Sequence, residues 1–359
     1  MSPRKALIVG AGIAGLSIAL RLVERGLAPV VVDRGPIPNP RGASHDNHRL
    51  TRIPYGDQDG YARAMPDAFA AWDRLWAKLG AKLWADTGAL CLSTAEDDWT
   101  DRSRKSLDRI GARYEALDRR EIERRFPVLR AHDARFGLWT KPGGVLYADR
   151  IVEALAWRCA ELGVRLLPNT EIVALDPPRA KDGTTFDADL TVVCAGAWLG
   201  ELVPDMAERA IPVRQIVAYV TPPKSMAAHW TRMPAMLDLG GAHGPRGMFL
   251  APDVEGRGLK LGCTLQTRNV ERVGTEFDPG EGQAVLDAYR DRFVDWQGYR
   301  LAKSVLCHWT RSPKEKFIFE RRDRTWIVSA CSGHGFKFGA LVGERAGDAI
   351  AEDRVAVDL

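Results

Sequence analysis

The beginning of the chain combines two short apolar runs with one stretch of helical periodicity. Residues 6–9 are a short apolar run, and residues 13–25 place apolar side chains on one face of a helix that ends at Gly26. Residues 29–32 are a second apolar run, which Asp33 closes. This pattern predicts a β-α-β unit with two buried, parallel strands.

Two later blocks repeat this mixture of strands and helices. Residues 151–198 predict a helix, two strands and the apolar run LTVVCAGAW. Residues 325–351 predict a strand, the turn CSGHGFKFG and a final helix. The stretches IPVRQIVAYV (211–220) and RGMFLAP (246–252) lie between the two blocks and show the alternation that is typical of antiparallel strands.

The order of these blocks predicts an α/β fold with two domains, α+β in its overall organisation. A discontinuous nucleotide-binding domain of the Rossmann type would comprise residues 1–80, 145–211 and 305–359. A mainly antiparallel β domain that holds the substrate would comprise residues 81–144 and 212–304. A chain of 359 residues is long for one compact core, which agrees with two domains.

The composition is that of an ordinary soluble protein, and its net charge argues against some classes of binding partner. The net charge of +4 is too small to indicate binding to nucleic acid or to a membrane surface. The six cysteines form no C-x-x-C pair and no histidine spacing suggests a zinc site, so we predict reduced thiols, no metal and a cytoplasmic location. Residues 6–20 are apolar but contain three glycines and are too short to span a bilayer, so we expect neither export nor an anchor.

The segment GAGIAG follows the first strand and begins the first helix. In such a segment Gly10 makes the tight turn, Gly12 lets the backbone approach a pyrophosphate, and Gly15 lets the helix pack on the strand. The helix N-terminus attracts the diphosphate, and Asp33 stands where a carboxylate accepts hydrogen bonds from ribose hydroxyls. The segment therefore predicts a dinucleotide site, although a glycine-rich packing turn is the alternative and the motif does not decide between FAD and NAD.

Several later residues are candidates for chemistry, and each also has an ordinary structural explanation. Cys307 is a lone thiol, which in most proteins is a small buried hydrophobic residue. Arg49 and Arg52 lie three apart in a polar segment and could be solvated, and Lys260 in GLKLG could be an exposed lysine on a strand. The segment SGHGFK (332–337) could be a simple strand-to-helix turn.

Taken together, these segments resemble one protein family along nearly the whole chain. The matching segments are GAGIAG, SHDNHRLTRIPYG (44–56), GGVLYADRIVEALA (143–156), VVCAGAW (192–198), GLKLG (258–262), CHWT (307–310) and SGHGFKFG (332–339). The chain resembles the glycine/D-amino-acid oxidase (DAO) superfamily of FAD oxidoreductases, and within it the monomeric sarcosine oxidases and N-methyltryptophan oxidases. SGHGFK and the paired arginines are the most specific of these segments.

The resemblance implies a role for each candidate. Cys307 would form a thioether to the flavin 8α-methyl group, and Arg49 would lie against the flavin ring. Arg52 and Lys337 would hold the substrate carboxylate, and Lys260 would activate oxygen at the opposite face of the flavin. The residues expected to bind FAD are Gly10, Gly12, Ile13, Ala14, Gly15, Asp33, Arg34, Ser44, His45, Arg49, Val173, Ala195, Gly196, Cys307, Gly333, His334, Gly335, Phe336 and Lys337.

Two departures from the family pattern concern the expected substrate pocket. Thr264 stands where sarcosine oxidases have a histidine that touches substrate, and Trp309 stands where the family has a tyrosine. Thr264 is smaller than histidine and Trp309 offers a wide aromatic face. We therefore expect a bulkier or ring-containing substrate rather than sarcosine itself.

The resulting prediction is an FAD-dependent oxidase that acts on a secondary α-amino acid, either N-methylated or cyclic. Its partners would be a small carboxylated amine and molecular oxygen, with an imine and hydrogen peroxide as products and a monomer as the favoured state. The first alternative is an FAD-dependent dehydrogenase of an amino or hydroxy acid that uses another electron acceptor. An NAD(P)H-dependent aromatic hydroxylase would need a Gly-Asp pair ahead of its last helix, whereas Gly347 and Asp348 lie within that helix. A non-catalytic flavin-binding module is the third alternative.

Overall fold

The first β-α-β unit forms as the periodicity predicts. In the computed structural model, which describes residues 2–240, 247–329 and 332–355, strand β1 (Lys5–Val9) is followed by helix α1 (Ile13–Glu24) and strand β2 (Ala28–Val32). The two strands pair in parallel, with Leu7 opposite Val30. After an exposed first residue, both strands are buried except for the half-buried Val30, as expected for strands covered on both faces.

The other elements follow in chain order. The helices are α2 (Asp59–Leu79), α3 (Trp99–Ile110), α4 (Arg119–Arg125), α5 (Ala148–Glu161), α6 (Leu199–Leu202), α7 (Lys224–Trp230), α8 (Gly280–Asp287) and α9 (Gly339–Ala351). The strands are β3 (Arg49–Thr51), β4 (Trp84–Ala85), β5 (Ala89–Ser93), β6 (Glu115–Leu117), β7 (Phe136–Thr140), β8 (Gly144–Leu146), β9 (Arg165–Leu167), β10 (Ile172–Leu175), β11 (Pro178–Ala180), β12 (Leu190–Val193), β13 (Ile211–Thr221), β14 (Ala235–Asp238), β15 (Met248–Ala251), β16 (Leu259–Asn269), β17 (Arg300–Arg311), β18 (Ile318–Arg322) and β19 (Thr325–Ser329).

Two large sheets organise these elements. The first has six strands in the order β18-β19-β12-β1-β2-β9, and its neighbours are parallel except for the edge pair β18 and β19. The second has eight strands in the order β17-β13-β16-β15-β14-β5-β7-β6, and its neighbours are antiparallel except for β14 and β5. The predicted mixed α/β fold class, with a Rossmann-type sheet and an antiparallel β sheet, is confirmed.

Two of the predicted domain boundaries fall within strands of the second sheet. The boundary after residue 211 lies at the start of β13, and the boundary after residue 304 divides β17, which pairs with β13 along its whole length. The residues from 305 to 311 therefore belong to the antiparallel sheet rather than to the parallel one. The division into two domains stays a prediction, with β17 as the strand that links the two sheets.

Glycines on α9 allow close packing against α1. A methyl group added to Gly343 would lie 2.4 Å from Ser17 Cβ, and one added to Gly347 would lie 2.6 Å from Arg21 Cβ. Asp348 accepts hydrogen bonds from the Arg21 guanidinium at 2.6 and 2.9 Å across this contact. The last helix therefore fixes the first helix, and with it the turn that precedes α1. No helix in residues 2–240, 247–329 and 332–355 has the length and apolar character to span a membrane.

Candidate active site

A cavity of about 760 Å³ is lined by residues of both large sheets, and its size is in the ordinary range for a ligand site. The sequence-predicted residues in its wall are Gly10, Gly12, Ile13, Ala14, Asp33, Arg34, Ser44, His45, Arg49, Arg52, Val173, Ala195, Gly196, Lys260, Cys307, Trp309, Gly333, His334, Gly335, Phe336 and Lys337. The fold thus brings residues from distant parts of the chain to one cavity. Gly15 and Thr264 are the predicted site residues outside this wall.

The turn between β1 and α1 can accept only glycine at two positions. Gly10 has a φ of +108°, and a Cβ there would lie 2.3 Å from the carbonyl oxygen of Cys194. A Cβ on Gly15 would lie 1.9 Å from the carbonyl oxygen of Gly10, so Gly15 serves the contact between helix and strand. These contacts agree with the motif, in which Gly10 makes a tight turn and Gly15 lets the helix pack on the strand.

The N-terminus of α1 faces the cavity without an acidic residue in its first turn. Gly12 is the N-cap and supplies no side-chain cap, while the Ser44 hydroxyl accepts a hydrogen bond of 2.9 Å from the Ile13 N–H. Since free N–H groups and the helix dipole favour negative charge, this end of the helix suits a phosphate. The turn and helix end together fit the diphosphate of a dinucleotide.

Asp33 ends β2 beside this helix and is buried. Its carboxylate accepts hydrogen bonds from Ala11 N at 2.9 Å, from Gly35 N at 2.9 Å and from Asn39 Nδ2 at 2.7 Å. These donors fix the carboxylate at the wall of the cavity, where it is placed to accept hydrogen bonds from ribose hydroxyls.

Arg49 holds the polar segment before β3 in a closed loop. Its Nη2 atom donates to the carbonyl oxygens of Ala43 at 2.5 Å and His45 at 2.6 Å, and Nη1 donates to the carbonyl oxygen of His48 at 2.7 Å. Nη2 also lies 4.0 Å from Cys307 Sγ. Arg49 therefore shapes the cavity wall and brings a fixed positive charge close to the thiol.

A buried carboxylate that the sequence interpretation did not assign joins the predicted cations. Asp46 forms ion pairs with Lys260 and, at 3.3 Å, with Arg49. It also accepts a hydrogen bond of 2.5 Å from the Tyr219 hydroxyl. Burial raises the pKa of Asp46, but the charges of Lys260 and Arg49 outweigh burial and hold the pKa below its usual range.

His48 is a second unassigned residue in this part of the wall. It is fully buried, and its ring stacks on Tyr219 with 6.0 Å between centroids. Burial, and then the charge of Lys260, lowers the pKa of His48 to about 3. The imidazole is therefore neutral at ordinary pH, and within the described residues neither ring nitrogen has a hydrogen-bond partner.

Arg52 and Lys337 both approach the ring of Tyr55. The guanidinium carbon of Arg52 lies 4.4 Å from the centroid of Tyr55 and 4.9 Å from that of Trp99. Lys337 Nζ lies 5.5 Å from the Tyr55 centroid, and its side chain is buried. Arg52 has no acidic partner within 4.0 Å among the residues that the structure describes. Two cations and two aromatic rings thus share one end of the cavity.

The SGHGFK segment forms a tight turn directly before α9. Gly333 has a φ of +73°, and the His334 ring is buried with Nε2 3.0 Å from the carbonyl oxygen of Glu315 and Nδ1 3.4 Å from the Tyr55 hydroxyl. Burial, and then the charge of Lys337, lowers the pKa of His334 to about 3. The neutral ring holds Tyr55 beneath the two cations.

Cys307 and Trp309 lie two apart on β17, so their side chains share the face that lines the cavity. His308 between them is buried outside the cavity wall, and burial followed by the charge of Arg214 lowers its pKa to about 4. Cys307 is half-buried, whereas the cysteines of the fold interior are buried, namely Cys91, Cys159, Cys194 and Cys263. Cys331 and His243 lie outside the described residues.

The structure does not bring Thr264 to the cavity. Its side chain is exposed, and its backbone N–H donates to the carbonyl oxygen of Gly247 at 2.9 Å. The ring of Phe249 occupies the space above Gly262, since a Cβ on that glycine would lie 2.1 Å from Phe249 Cζ. Phe249 lines the cavity instead, so the expected position of Thr264 in the substrate pocket is not the one observed.

The residues that the sequence interpretation missed have only weak signals in the sequence. Asp46 and His48 lie within the quoted segment SHDNHR, but their partners on β13 and β16 are distant in the chain. Tyr219 resembles any other inward-facing residue of an alternating strand, and Trp99 begins a helix. No group of three or more His, Cys, Asp or Glu side chains within residues 2–240, 247–329 and 332–355 could hold a metal ion.

Comparison with solved structures finds the same fold along almost the whole chain. A modified fructosyl peptide oxidase from Aspergillus nidulans superposes with a TM-score of 0.85 over 99% of this chain and 92% of its own, at 21% identity. NikD, described as an unusual amino acid oxidase essential for nikkomycin biosynthesis, has a TM-score of 0.82 over 98% of this chain and 95% of its own, at 19% identity. At these identities the likeness concerns the fold alone.

Comparison of sequences identifies relatives over a similar span. Peroxisomal sarcosine oxidase from Mus musculus is 27% identical over 354 residues, which cover 94% of this chain and 90% of the relative. N-methyl-L-tryptophan oxidase from Yersinia pestis (strain Pestoides F) is 25% identical over 359 residues, 95% and 93% of the two chains. The family described as FAD dependent oxidoreductase (DAO) matches residues 5–349, which decides between FAD and NAD. The chain therefore belongs to the DAO family of FAD-dependent oxidoreductases.

Proposed function

We propose that this protein is an FAD-dependent oxidase of a secondary α-amino acid, N-methylated or cyclic. The observation that carries the proposal is the position of Arg52 at one end of the cavity that begins at the Gly10 turn. The relatives named sarcosine oxidase and N-methyl-L-tryptophan oxidase support the same class of substrate. FAD supplies a two-electron acceptor that takes a hydride from the carbon next to nitrogen and that oxygen reoxidises with formation of hydrogen peroxide.

The chain would hold the cofactor through the parts of the wall already described. The Gly10 turn and the α1 N-terminus would bind the diphosphate, and Asp33 would bind the ribose. Cys307 would anchor the flavin through a thioether between Sγ and the 8α carbon. The thiol and the methyl group would each lose one hydrogen, and oxygen would accept both as hydrogen peroxide.

A substrate carboxylate suits the cationic end of the cavity. Arg52 is half-buried between the rings of Tyr55 and Trp99, where it can donate two parallel hydrogen bonds to one carboxylate. Lys337 adds a second positive charge beside the same ring. Because the desolvated charge of Arg52 is costly unless an anion compensates it, this end of the cavity should reject neutral or cationic amines.

The aromatic side chains around the carboxylate site favour a substrate larger than sarcosine. Trp99, Trp309 and Phe249 line the cavity together with Tyr55. Such rings offer wide apolar faces against which a ring or a long apolar side chain can pack. The substrate class is therefore an α-carboxylated secondary amine with a bulky or cyclic apolar part.

Lys260 would act on oxygen from the wall near Arg49 and Cys307. A fixed ammonium group stabilises the negative charge that develops when oxygen accepts an electron. This assignment favours an oxidase over a dehydrogenase that uses another acceptor.

An anaerobic screen of flavin bleaching tests the proposal. The panel pairs N-methyl and cyclic α-amino acids with their decarboxylated analogues, and includes D-amino acids with a primary amine. We expect bleaching by a bulky carboxylated secondary amine, little bleaching by its decarboxylated analogue, and rapid return of the oxidised spectrum in air. Preference for the decarboxylated amine would refute the proposed substrate class, and slow return of the spectrum in air would refute the oxidase.

A further inference from the structure

The buried ion pair behind the cavity wall gives Asp46 a role that the sequence did not indicate. We propose that Asp46 is a positioning residue that keeps Lys260 charged and directed into the cavity. Asp46 itself is not part of the cavity wall, whereas Lys260 and Arg49 are. The inference rests on the proposed function, because it concerns the group that would act on oxygen.

The Asp46 carboxylate is held by donors on both oxygens. Oδ1 accepts from the Tyr219 hydroxyl at 2.5 Å and from Asn47 N at 2.9 Å. Oδ2 accepts from Lys260 Nζ and from Arg49 Nη1 at 3.3 Å. A carboxylate with this many donors keeps its negative charge although it is buried.

The sheet places two of these donors on one face. Tyr219 on β13 and Lys260 on β16 are directly opposite each other in the antiparallel pair, so their side chains leave the sheet on the same side. The carboxylate bridges them from the loop before β3. The Lys260 ammonium is also 3.2 Å from the carbonyl oxygen of His48, which fixes its direction further.

The backbone of Asp46 is in a conformation that non-glycine residues rarely adopt. Its φ is +107°, well outside the region that an L-residue with a Cβ prefers. Such a conformation persists only where the surrounding contacts hold it, and it is often found at functional sites. Here the contacts that hold it are those of the carboxylate with Tyr219, Lys260 and Arg49.

Without Asp46, the surroundings of Lys260 would favour the neutral amine. Lys260 is buried, and burial lowers its pKa below the usual value although the charge of Asp46 opposes this effect, so the pKa would fall further without Asp46. The other titratable or charged groups near it are Arg49 and Cys307, and beside them His48, Tyr219 and Arg257. Arg49 repels the ammonium, His48 is neutral, and Arg257 is paired with Asp149, so Asp46 is the compensating carboxylate.

The test compares wild type with Asp46→Asn in the oxidative half-reaction. Chemically reduced holoenzyme is mixed with oxygenated buffer at several values between about pH 6 and 10. In wild type we expect the rate to fall only at a higher pH than in the variant, because Asp46 opposes the effect of burial on the pKa of Lys260. In Asp46→Asn the rate should fall by about tenfold per pH unit above the lowered pKa of Lys260, because one proton is lost. Asp46→Gly, which suits the φ of +107°, should behave alike if Asp46→Asn fails to fold.

Two matched comparisons separate this effect from a general disturbance. Tyr219→Phe removes one neutral donor from the same carboxylate and should keep the wild-type pH profile. In a Lys260→Met background, Asp46→Asn should cause no further loss, since it acts through the ammonium. A profile of Asp46→Asn that matches wild type, or an equal loss in the Lys260→Met background, would overturn the proposal.

A second measurement does not depend on oxygen chemistry. The ε-carbon resonance of Lys260 in carbon-13-labelled holoenzyme, assigned by its absence in Lys260→Met, reports protonation directly. We expect its titration to move to lower pH in Asp46→Asn. If wild type and Lys260→Met are reoxidised at equal rates, Lys260 does not act on oxygen. The titration would still decide whether Asp46 keeps Lys260 protonated. An unmoved titration contradicts the inference.

Discussion

At the scale of single residues, the site combines charges that its surroundings hold in fixed positions. Arg49 closes a loop of backbone carbonyls, and Arg52 is stacked between Tyr55 and Trp99. The Cys307 thiol lies beside Arg49 at the wall of the cavity. Each position suggests a substitution whose effect can be measured separately.

Cys307→Ser should abolish covalent attachment of the flavin while FAD still binds, because the Gly10 turn is untouched. Acid precipitation is the measurement: wild type should leave a yellow, fluorescent pellet, and the variant should release its flavin to the supernatant. Cys159→Ala, at a buried cysteine whose Sγ contacts the Leu16 carbonyl oxygen, is the matched control and should keep the yellow pellet. Complete release from wild type would show that no thioether forms.

Arg52→Ala should lower kcat/KM for the carboxylated substrate, because it removes one partner of a desolvated charge pair. The loss should correspond to an increase of about 2–5 kcal/mol in the free energy of activation. The decarboxylated analogue should lose almost nothing, because it has no carboxylate to pair. Steady-state kinetics with both compounds measures the difference. Equal losses for the two compounds would contradict the carboxylate role of Arg52.

At the scale of elements, the contact between α1 and α9 sets the position of the Gly10 turn. Gly343→Ala would place a methyl group 2.4 Å from Ser17 Cβ, so the helices must separate. We expect the free energy of unfolding to fall by about 1–3 kcal/mol, as for other overpacked cores. Gly60→Ala in α2, where a Cβ meets no atom within 4 Å, is the control and should change it by less than about 1 kcal/mol. Denaturant unfolding measures both, and similar losses would mean that the helix contact is unimportant.

The elements that the sequence predicts well are those whose pattern is local. The β-α-β unit of β1, α1 and β2 follows from periodicity and from glycines at fixed spacing within one segment. The place of Phe249 in the cavity wall could not be predicted in this way, because its ring lies over Gly262 of a neighbouring strand. The pairing of Asp46 with Lys260 likewise depends on a contact between residues 214 positions apart.

At the scale of the whole molecule, buried histidines make stability depend on pH. The pKa values of His48 and His334 are lowered to about 3 and that of His308 to about 4, from an ordinary value of 6.5. Between the lowered pKa values and the ordinary value of 6.5, the unfolded chain therefore binds more protons than the folded protein. The free energy of unfolding should fall as pH drops below about 6.5.

Unfolding in denaturant at several pH values measures this dependence. His308→Asn should make it shallower, because one buried group that the folded protein keeps neutral is removed. His229→Asn, at an exposed histidine, is the control and should leave the slope unchanged. A slope that is the same in wild type and His308→Asn would assign the pH dependence to other groups.

The cavity wall draws on the chain from Val9 to Lys337, and this has a consequence for how the protein tolerates cleavage. A ligand that binds only the folded form stabilises it by mass action, and here the stabilisation reaches both large sheets at once. A fragment that ends before β17 would lack Cys307, Trp309 and the turn that carries Lys337. Proteolysis of the apoprotein should therefore destroy flavin binding wherever the first cut falls between Val9 and Lys337. The protein with bound flavin should resist proteolysis along this whole range.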